Sequence, residues 1–230
     1  MDSPSGAMQN SAPARKYLAI SAVSLLGSCE TKALDSMLGR QRVTSAMKVG
    51  TEGHERLAKA APKISTPEIV RQISSGMATI VRELPIFDDR LKIVGRIDQL
   101  SMTGSIENGK NTGIIIDDKY PSSDDRIYGI TLYQKIQLSS YAVGLSDSQT
   151  YGAICSIVDA RVVYRDRGTD AVLKQFDMGK ERLDACKANV PAAVEDAWGL
   201  YLNKKAPEHR RFDVESGEWV GCYCKADKVA

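Results

Sequence analysis

The stretch that most limits what this chain can become is Gly113 to Tyr120, Gly-Ile-Ile-Ile-Asp-Asp-Lys-Tyr. Three contiguous β-branched residues, Ile114 to Ile116, predict a strand covered on both faces. Strand periodicity then sends Asp117 and Lys119 out of the pleat on one side and Asp118 on the other. A carboxylate beside an ammonium at the end of an apolar strand suits metal-assisted phosphodiester chemistry. The carboxylate holds a hard cation such as Mg²⁺, and the lysine positions or activates water and offsets phosphate charge. Taken alone, the Asp-x-Lys triplet more often marks an edge-strand ion pair, so the rest of the chain decides.

At 230 residues the chain has room for one domain, or one domain with an appendage. A formal net charge of +2 neither requires nor excludes nucleic acid, because a basic groove can coexist with acidic metal ligands. No apolar run reaches the roughly 20 residues that span a bilayer. The N-terminus lacks the basic-then-apolar layout of a secretory signal, so an intracellular, cytoplasmic setting is expected. The five cysteines show no disulfide framework, which makes thiol ligation of a metal or cluster worth weighing.

Residues 1–16, rich in Ser, Pro, Ala and Gly, are expected to form a disordered leader. A helix is expected over about 20–42, with Ser21 or Ser24 as N-cap and Cys29 inside it. A second helix, about 44–60, carries Gly50-Thr-Glu-Gly-His54. Glycine inside a helix costs about 1 kcal/mol relative to alanine. The two glycines here, Gly50 and Gly53, therefore suggest close approach of a backbone or ligand, and Gly50 shares a face with His54, which could reach a metal across it. A short helix follows Thr66-Pro67-Glu68. Strands are expected over 78–87 and 91–100, the second ending near Asp98, with a loop from Ser101 to Thr112. Asp98 and Asp117 then come from adjacent strands and can face one cation. A helix over 130–145 aligns Gln137 with Tyr141. A strand pair over 151–165 and 171–178 and a helix over 179–204, interrupted or kinked near Pro191, complete the domain. The tail from Ala206 holds Cys222 and Cys224, one residue apart, which suit a soft-metal site. Cys29 is the third candidate ligand, with Cys186, Cys155 or a non-cysteine group as the fourth.

In order, the chain presents Gly50-x3-His54 on a helix, Gly95-x-x-Asp98 on a strand, Asp117-x-Lys119 on a strand and Gln137-x3-Tyr141 on a helix. This resembles the RecB-like branch of the PD-(D/E)xK nucleases over Gly50–Tyr141. One cysteine ahead of that core and a cysteine pair behind it look most like the CRISPR-associated iron–sulfur exonucleases. That group usually carries three more widely spaced C-terminal cysteines. The resemblance implies an α/β, restriction-endonuclease-like core with a central mixed sheet flanked by helices. It implies a nuclease domain over 17–205 and a tail over 206–230 that packs on the N-terminal helix. It also implies that His54, Asp98, Asp117 and the backbone carbonyl of Asp118 bind Mg²⁺ or Mn²⁺. Lys119 would position or activate water, and Gln137 and Tyr141 would order the site and the DNA strand. Cys29, Cys186, Cys222 and Cys224 are the implied [4Fe–4S] ligands. The implied activity is exonuclease action on single-stranded DNA ends, in CRISPR spacer acquisition or DNA repair, with a CRISPR integrase as partner. Two other readings of the same residues stay open. One is a nucleic-acid-binding assembly subunit with a vestigial nuclease site, the other a Zn²⁺-stabilised α/β protein.

Overall fold

In the computed structural model β4 (Lys110–Lys119) lies between β3 (Ile93–Glu107), antiparallel to it, and β5 (Cys155–Arg165), parallel to it. The model describes residues 15–41, 45–60, 65–121, 127–206 and 208–222. Residues 1–14 of the expected leader, and Cys224, lie outside them. Ile115 and Ile116 are buried, as a doubly covered strand requires. β2 (Ala78–Asp88) pairs antiparallel along β3, and β6 (Val172–Asp177) pairs antiparallel with β5. A two-residue strand, β1 (Leu18–Ala19), pairs parallel with Ile93 and Val94. Because β2 occupies one side of β3 along its length, β1 and β4 share the other. The sheet is thus mixed, and helices flank it. Between the parallel β4 and β5 the chain crosses over through α5 (Leu132–Asp147), a βαβ unit. α5 starts on a capping box in which Thr131 Oγ1 accepts from the Gln134 N–H and Gln134 Oε1 accepts from the Thr131 N–H.

Three local expectations are corrected. The helix expected over 20–42 is broken into α1 (Ile20–Ser24), a 3₁₀ turn (Leu25–Gly27) and α2 (Glu30–Met37). The break follows from packing. A Cβ on Gly27 would fall 2.5 Å from the backbone of Leu132 and Tyr133, so the chain crosses the start of α5 at a point only glycine permits. Cys29 is not inside a helix but caps α2 in an extended conformation, and the first N-cap is Ala19 rather than a serine. Second, the expected loop over 101–112 is a hairpin. β3 runs to Glu107 and returns at Asn108-Gly109, both at positive φ, the backbone that a two-residue hairpin turn needs. Third, Pro191 does not interrupt α6 (Lys180–Asn203), which is continuous through it.

α3 (Ser45–Ala60) and α4 (Thr66–Ser74) precede the sheet's main strands. The tail forms a second, two-stranded sheet, β7 (Arg210–Asp213) with β8 (Glu218–Gly221). It meets the N-terminal segment at Glu30, fully buried, whose carboxylate accepts from the Glu208 N–H at 2.6 Å and from Arg210 Nε at 3.3 Å. Among the described residues no helix is long and apolar enough to cross a membrane.

Candidate active site

The end of β4 delivers the expected polar set. Asp117 is buried, and Lys119 Nζ lies 2.9 Å from its Oδ1 and 2.8 Å from its Oδ2. The same ammonium donates to Gln137 Oε1 at 3.3 Å, and Gln137 Nε2 donates to the Tyr141 hydroxyl at 3.3 Å. The Asp117, Lys119, Gln137 and Tyr141 side chains thus form one chain of contacts between β4 and α5. Asp118 points elsewhere, as the alternation predicts. Its carboxylate is ion-paired with Arg165 at 2.7 Å and with Arg82 at 3.6 Å. The Asp118 backbone N–H donates to Asp98 Oδ2 at 2.9 Å, which draws the Asp98 carboxylate to the β4 terminus. His54, on α3, brings its Nδ1 within 3.5 Å of that same oxygen.

A further carboxylate, Glu83, was not expected. Ligand atoms of His54, Glu83 and Asp98 all lie within 4.8 Å of one another, and no other such trio occurs among the described residues. The strand register explains the meeting. Glu83 stands opposite Asp98, between the pairs Arg82–Gln99 and Leu84–Ile97. Glu83 is in the left-handed region, φ 53°. The buried apolar positions around it are Val81, Leu84 and Ile86 on β2, and Ile97, Leu100 and Met102 on β3, where Gln99 is buried as well. Each strand therefore steps by three residues once, at Glu83 and at Asp98–Gln99, where a regular strand steps by two. Along β3 the alternation holds from Ile93 to Ile97 and fails at Asp98.

The electrostatics of this corner favour a bound cation. Burial and then the neighbouring Asp117 charge push the Asp98 carboxyl well above its ordinary range, although Lys119 and the Asp118 N–H oppose them. Burial and the Lys119 charge hold His54 below its usual value, so its imidazole is neutral at neutral pH and available as a ligand. Burial alone would lower Lys119, but Asp117, Tyr133 and Asp98 outweigh it and the ammonium is held charged. Burial, reinforced by Asp98 and Asp117, raises the Tyr141 phenol. Like charges directly across a ladder repel, and among the described residues Glu83 has only Arg96, at 3.3 Å, as an ion-pair partner. One imidazole and two facing carboxylates, with Asp117 beside them, make an oxygen-rich donor set that fits a hard divalent ion.

Of the two α3 glycines, the expected close approach falls at Gly53. Gly50 has open space where a Cβ would sit, whereas a Cβ on Gly53 would lie 2.4 Å from the Tyr120 ring. Tyr120 in turn meets the His54 imidazole edge to face, with centroids 5.6 Å apart at 83°.

The thiols do not assemble in the same way. Cys29 Sγ lies 3.7 Å from His209 Nδ1, and Cys222 Sγ lies 3.2 Å from the Ser28 carbonyl oxygen, so these two segments adjoin. Cys186 is buried in α6, its thiol pushed up to about 12 by burial and the Glu215 charge, with Lys135 opposing. Cys155 is buried against Met102. Among the described residues no three thiols gather around one point. Cys224 is outside the described residues.

No protein-family model matches the chain, and no curated protein matches it. Solved structures do. A protein from Eubacterium rectale, provisionally designated an exonuclease, aligns with a TM-score of 0.51 at 13% identity, over 84% of this chain and 84% of its own. The crystal structure of SSO0001 aligns at 0.44 and 18% identity over 83% and 79%, respectively. An alkaline exonuclease from Laribacter hongkongensis aligns at 0.45 and 14% identity over 82% and 89%. At such identities the likeness, carried by the first of these, is one of fold: a central mixed sheet flanked by helices.

Proposed function

We propose that this chain is a divalent-metal-dependent DNA nuclease acting as an exonuclease on single-stranded ends. The observation that carries the reading is the convergence of His54, Glu83 and Asp98 within 4.8 Å, next to the Asp117–Lys119–Gln137 contact chain. The exonuclease designation of the Eubacterium rectale structure, which shares the fold, supports the same chemistry. The preference for single-stranded ends comes from the sequence resemblance.

His54, Glu83, Asp98 and Asp117 are the residues that would hold Mg²⁺ or Mn²⁺. Such an ion, when bound, polarises the scissile phosphate and lowers the pKa of an attacking water. The chain's own groups do the remaining work. Lys119, held charged between Asp117 and Gln137, donates to water or to a phosphate oxygen and offsets charge that develops in the transition state. Gln137 fixes the ammonium from one side and is itself oriented by Tyr141, so the lysine loses little freedom on reaction. The Asp118 N–H holds one Asp98 oxygen, leaving the other to a ligand.

The test is digestion of end-labelled single- and double-stranded oligonucleotides with Mg²⁺ or Mn²⁺. Wild-type protein should shorten the single strand from an end and should stop when the metal is chelated. Asp98→Ala and Lys119→Ala should each lose about 100-fold or more of the rate while melting cooperatively. Equal degradation by wild type and both variants would remove the site assignment.

A further inference from the structure

The His54 helix is tied to the sheet at one residue of the β5–β6 turn. Arg56, two residues beyond His54 on α3, donates to Asp170 from Nη2 at 2.9 Å and from Nε at 3.3 Å, and to the Arg167 carbonyl at 2.7 Å. The Tyr120 hydroxyl donates to the same Asp170 Oδ1 at 3.0 Å. Tyr120 is the ring against which Gly53 closes and on which the His54 imidazole rests. Both supports of the imidazole, the helix that carries it and the ring it leans on, therefore end at one carboxylate.

The turn is built to stay put. Asp166 Oδ1 accepts from the Gly168 N–H, the Thr169 N–H and the Thr169 hydroxyl. The Asp170 N–H donates to the Asp166 carbonyl, and Asp170 itself sits at φ 59°. Arg165 fastens the turn to β4 by donating from Nη1 to the Asp170 carbonyl and from Nε to Asp118 Oδ1. A charged anchor placed where both supports meet is what an outer partner of a metal-ligating histidine needs.

We infer that Asp170 is a positioning residue, which sets the His54 imidazole against Asp98 and Glu83 through Arg56 and Tyr120. This rests on the metal reading above. Asp170→Asn keeps an acceptor for the Tyr120 hydroxyl and removes the charge that Arg56 requires. The α3 helix should then hold its fold and lose its seat, and the histidine should be offered to the cation only part of the time.

The experiment measures Mn²⁺ affinity of the full chain by electron paramagnetic resonance of the free ion, in wild type, Asp170→Asn, His54→Ala and the double variant. Asp170→Asn should weaken Mn²⁺ binding roughly 10- to 100-fold, the range for outer-shell partners of metal ligands. In the His54→Ala background the same change should have no further effect, because it acts through the imidazole. Exchanging the charges, Arg56→Asp with Asp170→Arg, should recover part of the affinity. Full, independent losses in the double variant, or wild-type affinity in Asp170→Asn while His54→Ala is impaired, would overturn the assignment of Asp170 alone. Wild-type affinity in His54→Ala would overturn the metal reading of His54 and the positioning role with it. Should Asp170→Asn fail to fold, Tyr120→Phe, which deletes only the hydroxyl, supplies the same comparison.

Discussion

The two α3 glycines offer a paired measurement with opposite expected signs. Gly50→Ala places a methyl in open space, so its effect reduces to helix propensity, a gain of about 0.8–1 kcal/mol. Gly53→Ala gains the same amount and then meets the Tyr120 ring at 2.4 Å. That ring is not free to swing away. It is 7% exposed, its hydroxyl is bound to Asp170, and its edge is packed on His54. Overpacking of this kind costs about 1–3 kcal/mol. The propensity gain cancels between the two variants, so Gly53→Ala should lie about 1–3 kcal/mol below Gly50→Ala. For a domain of this size that is roughly 2–12 °C in Tm. Thermal unfolding of both variants, with and without Mn²⁺, reads the difference. Because Tyr120 seats His54, Gly53→Ala should also lose most of the Tm increase that Mn²⁺ gives wild type, while Gly50→Ala keeps it. Two variants stabilised alike, with the same response to Mn²⁺, would show that Tyr120 does not close on α3 and would refute the reasoning.

The facing carboxylates predict a conflict between stability and ion binding. At pH above the raised Asp98 titration, where both carboxylates are ionised, Glu83→Gln should raise the metal-free melting temperature, since it relieves about 0.2–1 kcal/mol of cross-strand repulsion, and should weaken Mn²⁺ binding; a lower melting temperature with unchanged affinity would contradict both. The pH dependence follows from Asp98, which burial and Asp117 raise above its unfolded-state value. Its protonated form is favoured on folding, so its contribution to metal-free stability is full below the unfolded value and is lost as pH rises through the folded one. Mn²⁺ competes with that proton, so titration calorimetry should show affinity climbing with pH through a window above the ordinary carboxylate range, together with proton release. Cys186→Ser should leave the iron and zinc content of anaerobically purified protein unchanged, because the Cys186 thiol sits alone in α6 rather than with Cys29 or Cys222.

Much of the site was legible because its residues lie where local rules hold. The Ile114–Ile116 run sets β4 and, by alternation, separates Asp117 and Lys119 from Asp118 without reference to any partner strand. Gln137 and Tyr141 follow from helical spacing alone, and they do touch. The errors fall where a distant backbone intervenes. Nothing local says that the start of α5 will press on Gly27 and break the first helix there. Nothing local distinguishes Gly50 from Gly53, because the difference is the position of Tyr120, 67 residues further along the sequence than Gly53. The cysteines show the limit of spacing as evidence. Their order along the chain fits a split ligand set, but Cys186 is committed to the α6 core, and an apolar packing role leaves the same trace in sequence as a ligand does.

Glu83 is the instructive omission. Read as a regular strand, β2 buries Val81 and would bury Glu83 and Pro85, so a glutamate there looks like a misfit to be explained by an edge. The fold resolves the misfit by reversing the facing of the strand at Glu83 without a shift of register against β3, so that Leu84 and Ile86 are buried instead and Glu83 takes the left-handed region opposite Asp98. A non-glycine residue at positive φ costs about 1–3 kcal/mol, and setting its carboxylate across from a second one adds repulsion. In the metal-free chain neither cost has a matching return beyond the Arg96 ion pair, which is exposed on the arginine side. A divalent ion held by the two carboxylates and His54 would reverse the sign of the repulsion, because each carboxylate would then face a dication as well as the other anion. The reversal of facing is therefore better understood as part of the metal site than as a defect of the strand. It follows that replacing Glu83 by glycine, which suits the backbone and lacks the carboxylate, should stabilise the metal-free fold while lowering Mn²⁺ affinity, a pair of effects that a purely structural bulge would not produce.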